Sequence, residues 1–262
     1  MCRFIGVVAQ DAAPVSTLLA EELGPFLSLA CEHGDGWGLA FHATGEGDGG
    51  KEGSATAGAD EVHMIKEPFR ADASPNLGPV LDSCVTDAAV LHLRMASQNF
   101  PVISANTHPF GDRRAAFVHN GDFTPSNCLD GTIGTDLLAT AKGRTDSERL
   151  FLAVRRCLDD GMDPVKALIQ TAADVKSRAA GYASLNCALL TPSSLFVYAE
   201  HDPHSEVIGR RGPDFFDLCY RQDDFKVVVA STGWTQTEGW EPIPSGHVLE
   251  VPRGGGAVRI HG

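Results

Sequence analysis

The sequence predicts a layered α+β protein in which helices pack on β-sheets. Three observations support this: strand-like segments occupy both ends of the chain, two amphipathic helices lie between them, and no linker clearly separates two cores. A chain of 262 residues is long enough for one or two domains. At this size folding buries roughly 70–75% of the surface of the unfolded chain. We therefore expect one domain, residues 1–262.

Short apolar segments rich in Val and Ile predict the strands of the first half of the chain. These strands are expected at 2–9, 36–42, 61–66, 87–95 and 114–119. After the first strand, apolar residues recur at helical spacing, and Pro25 predicts a kink or two short helices there. The glycine-rich residues 43–60 have little to bury and are expected to form a flexible loop at the tip between two neighbouring strands.

The middle of the chain carries two predicted helices. The first covers 145–160, where Thr145 and Glu148 have the spacing of a capping box. The second covers 163–179 and has an apolar stripe along one side. Short strands follow at 184–190, 195–200, 215–221, 225–231 and 246–251.

Composition excludes several classes of function. Lys and Arg total 21 and Asp and Glu total 34, so the net charge is −13. Such an acidic chain repels nucleic acid unless it has a local basic patch, and the basic pairs are scattered. No apolar run reaches the roughly 18 residues of a membrane-spanning helix. We therefore expect neither a nucleic-acid partner nor a membrane.

The cysteine pattern indicates a reducing environment. The chain has seven cysteines without C-x-x-C spacing, which fits neither a disulfide framework nor a zinc ribbon. The N-terminus lacks the pattern of a secretory signal. A cytoplasmic location with reduced thiols is expected.

Cys2 is the first candidate catalytic residue. If Met1 is removed, the new α-amino group has a pKa of roughly 7.7–8.0, against about 8.5 for the thiol, and can serve as its general base. If Met1 is retained, the amine belongs to the wrong residue and this mechanism fails. The alternative is an incidental cysteine at a frayed end. Cys2 leads directly into an apolar strand, which favours an anchored terminus.

Arg94 and Asp146 are candidates for binding opposite charges. Arg94 ends an apolar strand, where a buried guanidinium needs a partner such as a substrate carboxylate; a surface salt bridge is the alternative. Asp146 lies in the first turn of a predicted helix. Stabilisation by the helix dipole and contact with a substrate ammonium explain an acidic residue at this position equally well.

Asn120 and Gly121 end a predicted strand. The Asn amide and the Gly N–H could converge on an oxyanion, whereas the alternative is an ordinary hairpin turn. Three histidines, His92, His108 and His119, suggest a metal, but their spacing does not place them on one helix face and no carboxylate cluster accompanies them. We expect no metal and no cofactor.

Six motifs, taken in order, resemble the class II glutamine amidotransferases. They are Met1-Cys2, Asp35-Gly36-Trp37-Gly38, His92-Leu93-Arg94, Asn106-Thr107-His108-Pro109-Phe110, His119-Asn120-Gly121 and Gly143-Arg144-Thr145-Asp146-Ser147-Glu148. The resemblance covers nearly the whole chain. It is nearest to free-standing bacterial members, which include the γ-glutamyl hydrolase of ergothioneine synthesis. It implies an N-terminal-nucleophile fold, a four-layer αββα sandwich with two antiparallel sheets between helical layers.

The resemblance also implies a role for each matching residue. Cys2 would be the nucleophile and its amine the base, while Asn120 and Gly121 would form the oxyanion hole. Arg94 would bind the α-carboxylate and Asp146 the α-ammonium of a glutamine-like substrate. Ser97 and His108 would be further substrate-binding residues. The implied reaction is hydrolysis of a γ-glutamyl amide, glutamine or a conjugate, through a γ-glutamyl thioester, with release of ammonia or an amine.

Departures from the family pattern leave the substrate open. Glutamine-specific members usually carry Trp after the Arg and then Ala-Thr-His-Gly, whereas this chain reads Met95-Ala96-Ser97-Gln98-Asn99. No synthase domain follows, so either a separate synthase subunit takes the ammonia or the amide is simply hydrolysed. A catalytically silent binding module and a different N-terminal-nucleophile acylase are the alternatives. The oligomeric state, a homo-oligomer included, is open.

Overall fold

The computed structural model describes residues 1–43, 61–97, 100–236 and 238–262. Most of the glycine-rich segment, together with Gln98 and Asn99, therefore lies outside the described residues. The strands are β1 Arg3–Pro14, β2 Trp37–His42, β3 Val62–Glu67, β4 Val85–Leu93, β5 Phe110–Asp112, β6 Ala115–Thr124, β7 Gly181–Leu190, β8 Ser194–Ala199, β9 Leu218–Gln222, β10 Lys226–Ser231, β11 Glu241–Pro242, β12 His247–Pro252 and β13 Arg259–His261.

Short and long helices alternate with these strands. The α-helices are α1 Val15–Leu18, α2 Leu23–Leu27, α3 Leu77–Ser83, α4 Asp130–Ile133, α5 Thr135–Leu138, α6 Asp146–Asp159, α7 Pro164–Arg178 and α8 Glu206–Arg211. Short 3₁₀ turns cover Ser28–Cys31, Ala71–Ala73, Ser104–Asn106 and Pro213–Phe216. No helix among the described residues has the length and apolar character that crossing a bilayer requires.

The strands form two antiparallel sheets. The first sheet has the order β11-β9-β10-β1-β4-β2-β3, and the second has the order β13-β12-β8-β7-β6-β5. Because side chains alternate along a strand, each sheet has one face toward the other sheet and one toward helices. In β1, for example, Phe4 and Val8 lie in the core between the sheets, whereas Ile5 and Val7 lie in the core under α1 and α3.

Two further apolar layers complete the structure. Residues of α1, α2 and α3 pack on the first sheet, and residues of α6 and α7 pack on the second. The layer order is helix, sheet, sheet, helix. The prediction of a four-layer αββα sandwich with two antiparallel sheets is therefore confirmed.

Several element boundaries differ from the sequence prediction. Helix α3 was not predicted, because its Gly78 and Pro79 weaken the helical signal. The segment expected to be a strand from 215 begins as a 3₁₀ turn, and β9 starts only at Leu218. Strands β2 and β3, which flank the glycine-rich segment, pair with each other, so their adjacency is confirmed.

The hairpin-turn alternative for Asn120-Gly121 is wrong. Strand β6 continues through both residues to Thr124, and Asn120 pairs with Asn186 of β7. An added Cβ at Gly121 would collide with the backbone of Ser184 on β7. Glycine is required here because the two strands approach closely, not because the chain turns.

Candidate active site

The pairing of β1 with β4 brings the first two motifs of the site together. Arg3 lies opposite Leu93, so Cys2 and Arg94 are both next to this pair at one end of the first sheet. Because side chains alternate along an extended chain, Cys2 lies on the same side as Phe4, whose side chain is in the core between the sheets. The thiol therefore faces the second sheet.

The second sheet contributes Asn120 from the facing side. Asn120 lies two residues after Val118 in β6, so the two side chains share one face of the strand. The Val118 side chain lies in the core between the sheets. A histidine contact joins the two sheets at this level, since His92 Nε2 lies 3.3 Å from the carbonyl oxygen of His119. His92 itself pairs with Phe4 in the first sheet. Cys2 and Asn120 therefore face the space between the sheets from opposite sides.

The Cys2 thiol is buried and protonated in this arrangement. Its side chain donates to the carbonyl oxygen of Met95 at 3.6 Å. Burial raises the pKa of the thiol, although the N-terminal ammonium and Arg94 oppose this effect. Burial lowers the pKa of the Met1 amine, which lies 2.8 Å from Met95 Sδ. A thiol in this environment needs a nearby base to become a nucleophile.

Arg94 is a buried cation without an ion-pair partner among the described residues. It is 3% exposed, and its guanidinium donates to the carbonyl oxygens of Asp35 and Pro101, each at 3.4 Å. Its backbone donates to Gly36, and the Asp35 carboxylate accepts from the N–H of Ala96 at 2.8 Å. The Asp-Gly motif therefore shapes the backbone around Arg94 and leaves its charge available for a ligand.

Two carboxylates, Asp146 and Asp122, lie together on the second sheet's side. Burial raises the pKa of Asp146 to about 6, and its Oδ2 accepts from the N–H of Phe123 at 3.2 Å. Burial, and then repulsion from Asp146, raises the pKa of Asp122. Neither forms an ion pair with a side chain of the described ranges. An ammonium group placed between them would relieve this repulsion.

The start of α6 fixes Asp146. Thr145 caps the helix, and its Oγ1 accepts from the N–H of Glu148 at 3.1 Å. The predicted capping box is only half present, because the Glu148 carboxylate accepts from Lys142 and Gly143 at 2.8 and 2.7 Å. Glu148 thus anchors the loop before the helix.

Asn120 has the features of an oxyanion-hole donor. Its side chain is completely buried, and neither amide atom has a hydrogen-bond partner in the part of the chain that the structure describes. Buried amides are almost always paired, so an unpaired one calls for an explanation. A substrate oxyanion would supply the missing acceptor.

The three histidines are buried and uncharged. Burial lowers the pKa of His119 to about 4, and its ring contacts Ser147 Oγ at 2.9 Å and the Ser184 carbonyl at 3.2 Å. This ring ties β6 to α6 and β7. Burial lowers the pKa of His92 to about 3 and that of His108 well below its usual value.

His92 and His108 lie beside the Cys2 thiol. A ring nitrogen of each and Cys2 Sγ lie within 4.8 Å of one another. The two rings are tilted relative to each other, with centroids 4.1 Å apart and planes 34° apart.

His108 and Ser97, the remaining predicted substrate-binding residues, differ in how far they are buried. His108 is buried against His92 and Phe110, close to the thiol. Ser97 is exposed, and its backbone carbonyl accepts from the N–H of Phe100 at 3.2 Å. Asp122 is the candidate that sequence reasoning missed. Its position directly after Asn120-Gly121 was the available signal.

Comparisons with known proteins bear on the family to which the chain belongs. The family model of the class II glutamine amidotransferases matches residues 1–261. An uncharacterized protein of Methanocaldococcus jannaschii is 23% identical over 258 residues, which are 92% of this chain and 62% of that protein. This chain thus spans about three fifths of the length of that relative.

Solved structures share the fold. A glutamine aminotransferase class-II domain protein from Silicibacter pomeroyi has a TM-score of 0.67 at 19% identity, with 98% of each chain covered. A predicted glutamine amidotransferase from Pseudomonas aeruginosa has a TM-score of 0.55 at 19% identity, with 97% of this chain and 98% of that chain covered. The glutamine phosphoribosylpyrophosphate amidotransferase of B. subtilis has a TM-score of 0.58 at 13% identity, with 99% of this chain and 49% of that chain covered. Because the family model matches nearly the whole length of the chain, the chain belongs to the class II glutamine amidotransferases.

Proposed function

We propose that this protein hydrolyses a γ-glutamyl amide with Cys2 as the nucleophile. The substrate is glutamine or a γ-glutamyl conjugate, and the products are glutamate and ammonia or an amine. Its reaction would be that of the bacterial γ-glutamyl hydrolases that its sequence resembles. Membership of the class II family supports amide hydrolysis or transfer as the general reaction.

One observation carries the proposal. Arg94 and Asp146 are buried groups of opposite charge, neither has an ion-pair partner among the described side chains, and both act electrostatically on the Cys2 thiol. Leaving such charges buried and unpaired is costly in a protein without a ligand. The α-carboxylate and α-ammonium of a glutamyl group would pair with both.

The reaction follows from these positions. With Met1 removed, the Cys2 amine takes the thiol proton, and the thiolate attacks the γ-carbonyl carbon. The Asn120 amide and the Gly121 N–H would donate to the oxyanion that forms. The amine returns the proton to the leaving nitrogen as the C–N bond breaks. Water then attacks the γ-glutamyl thioester, which releases glutamate and restores the thiol.

The test is glutamate release from L-glutamine and from γ-glutamyl amides. The protein must first be shown by intact mass to begin at Cys2. We expect release that is lost in Cys2→Ala and kept in Cys31→Ala, a matched control on an exposed thiol. Glutamate release that persists in Cys2→Ala, or none from the correctly processed protein with any of these amides, would overturn the proposal.

A further inference from the structure

A large cavity lies where the edges of the two sheets meet. Its volume is about 650 Å³, and small-molecule sites typically have volumes of about 300–1,000 Å³. Met64 and Lys66 line it from β3, the edge strand of the first sheet, and residues 110–112 line it from β5, the edge strand of the second. We call it the edge cavity. The residues assigned to the nucleophile, the oxyanion hole and the glutamyl charges do not belong to its described lining.

One wall of the edge cavity is apolar. Phe110, Phe151 and Leu152 line it, and these buried side chains belong to the core between the second sheet and α6 and α7. Leu137 of α5 extends this wall and packs against the same core. The wall is part of a fixed core, so it offers a rigid apolar surface to the body of a ligand.

Lys66 places a cation next to the apolar wall. Its Nζ lies 5.1 Å from the centroid of the Phe110 ring, and it donates to the carbonyl oxygens of Thr107 and Pro109 at 2.7 and 2.9 Å. An ammonium group has three N–H donors, so one remains after these two bonds. No carboxylate of the described residues forms an ion pair with Lys66.

Lys142 supplies a second ammonium group to the edge cavity. It is exposed, and its side chain forms no ion pair within the described ranges. Burial lowers the pKa of Lys66 to about 8; Glu148 opposes this effect, and repulsion from Lys142 adds to it. An anion placed between the two lysines would relieve their repulsion.

The carboxylates that line the edge cavity are held by other donors. Glu148 accepts from the backbone N–H groups of Lys142 and Gly143 at 2.8 and 2.7 Å. Asp112 forms an ion pair with Arg155, the third cation of the lining. Arg155 also pairs with Asp159 at 2.9 Å. The arginine is therefore neutralised, whereas the two lysines have a charge available for a ligand.

We propose that the edge cavity binds a small organic anion, with its carboxylate or phosphate group between Lys66 and Lys142 and its apolar body against the wall formed by Phe110, Phe151 and Leu152. A lysine ammonium is a compact point charge and accepts either head group. The short distance between Lys66 Nζ and the Phe110 ring requires the charge and the apolar body to be close together in the ligand. Binding is noncovalent and does not depend on the proposed function.

Isothermal titration calorimetry with matched probes tests the proposal. 4-Phenylbutyrate and 3-phenylpropyl phosphate carry an anionic head group on a phenylalkyl body, and 4-phenylbutyramide replaces the carboxylate by a neutral amide. We expect at least one of the two anions to bind about tenfold more tightly than the amide, as for hydrogen bonds to a charged group. Acetate, which keeps the charge but lacks the apolar body, should bind more weakly than 4-phenylbutyrate. The tighter of the two anions identifies the head group.

Lys142→Met is the variant that assigns the binding to the edge cavity. It should raise the Kd of the tighter anion by about threefold or more, as expected for an ion pair near the surface, and leave that of the amide unchanged. The control is Lys166→Met, which removes an exposed lysine of α7 outside the cavity and should change neither Kd.

Three results would overturn the proposal. They are binding of neither anion, an amide that binds as tightly as both anions, and a Kd for the tighter anion that Lys142→Met leaves unchanged. The calorimetric readout does not involve glutamate release, so each of these results would leave the proposed function intact.

Discussion

Burial sets the charge state of the individual groups around the Cys2 thiol. It raises the pKa of Asp146 to about 6 and lowers that of His92 to about 3. At neutral pH the carboxylate is therefore charged and the imidazole is not. Of these two residues, Asp146 has the pKa that lies within the pH range in which activity can be measured.

The pH dependence of substrate binding follows from Asp146. Its carboxyl must be ionised to pair with an ammonium, so kcat/KM for the γ-glutamyl substrate should fall as the pH drops below about 6. Asp146→Asn should lower kcat/KM at neutral pH by at least about tenfold. It should also remove the part of the acidic limb that this carboxyl causes, whereas the Cys2 amine, which must be unprotonated to act as the base, still contributes its own part. The measurement is the pH profile of kcat/KM for the wild-type protein and the variant.

The free energy of unfolding should depend on pH in the opposite direction to activity. Because the folded pKa of Asp146 is raised to about 6, its ionisation opposes folding. This cost is complete above about pH 6, declines as the pH falls from there, and disappears below the unfolded pKa of about 3.9. Asp146→Asn should therefore raise the Tm at pH 7 while it lowers activity. Asp160→Asn, at the exposed far end of α6, is the control. An acidic limb whose midpoint and steepness are unchanged in Asp146→Asn would contradict the assignment.

At the level of elements, α6 connects helix capping to the site. Thr145 satisfies the N–H of Glu148 and so fixes the turn that carries Asp146. Thr145→Ala should lower the free energy of unfolding by about 1 kcal/mol, whereas Thr145→Ser should keep most of it. Urea unfolding measures this difference. An unchanged midpoint in Thr145→Ala would show that the cap adds nothing to the packing of α6.

Elements with strong local signals were predictable from the sequence. Helices α6 and α7 have clear caps and apolar stripes, and β1 and β4 have clear apolar runs. The end of β6 was not predictable, because Asn-Gly usually marks a turn. Here the pairing with β7 overrides that local preference. Local propensity loses when a long ladder and a close approach between strands favour extended backbone.

At the level of the whole molecule, the candidate site could be predicted only in part. The residues in ordered motifs, Cys2, Arg94, Asn120 and Asp146, were named from the sequence because the resemblance fixes their order. The cluster of Arg3 and Arg211 around the Phe215 ring was not predicted, since these residues are far apart in sequence. Asp122 was missed because its environment depends on Asp146 from another element. The prediction of a single domain remains a prediction.

The division of the site between two sheets has a consequence for stability. Cys2 and Arg94 belong to the first sheet, whereas Asn120 and Asp146 belong to the second sheet and the helix packed on it. A glutamyl ligand that pairs with both Arg94 and Asp146 would link the two sheets in addition to their apolar core. Unfolding would then require loss of the ligand, and binding should stabilise the whole molecule.

This stabilisation can be measured in Cys2→Ala, which binds without turnover. At a ligand concentration a hundredfold above Kd, L-glutamine should add about 2.7 kcal/mol to the free energy of unfolding. For a chain of this size that corresponds to a Tm increase of several degrees. D-Glutamine, which cannot place both charges and the side-chain amide together, and the double variant with Arg94→Met should show little increase. An equal increase with D-glutamine, or one that survives Arg94→Met, would mean that the ligand does not bridge the sheets through Arg94 and Asp146.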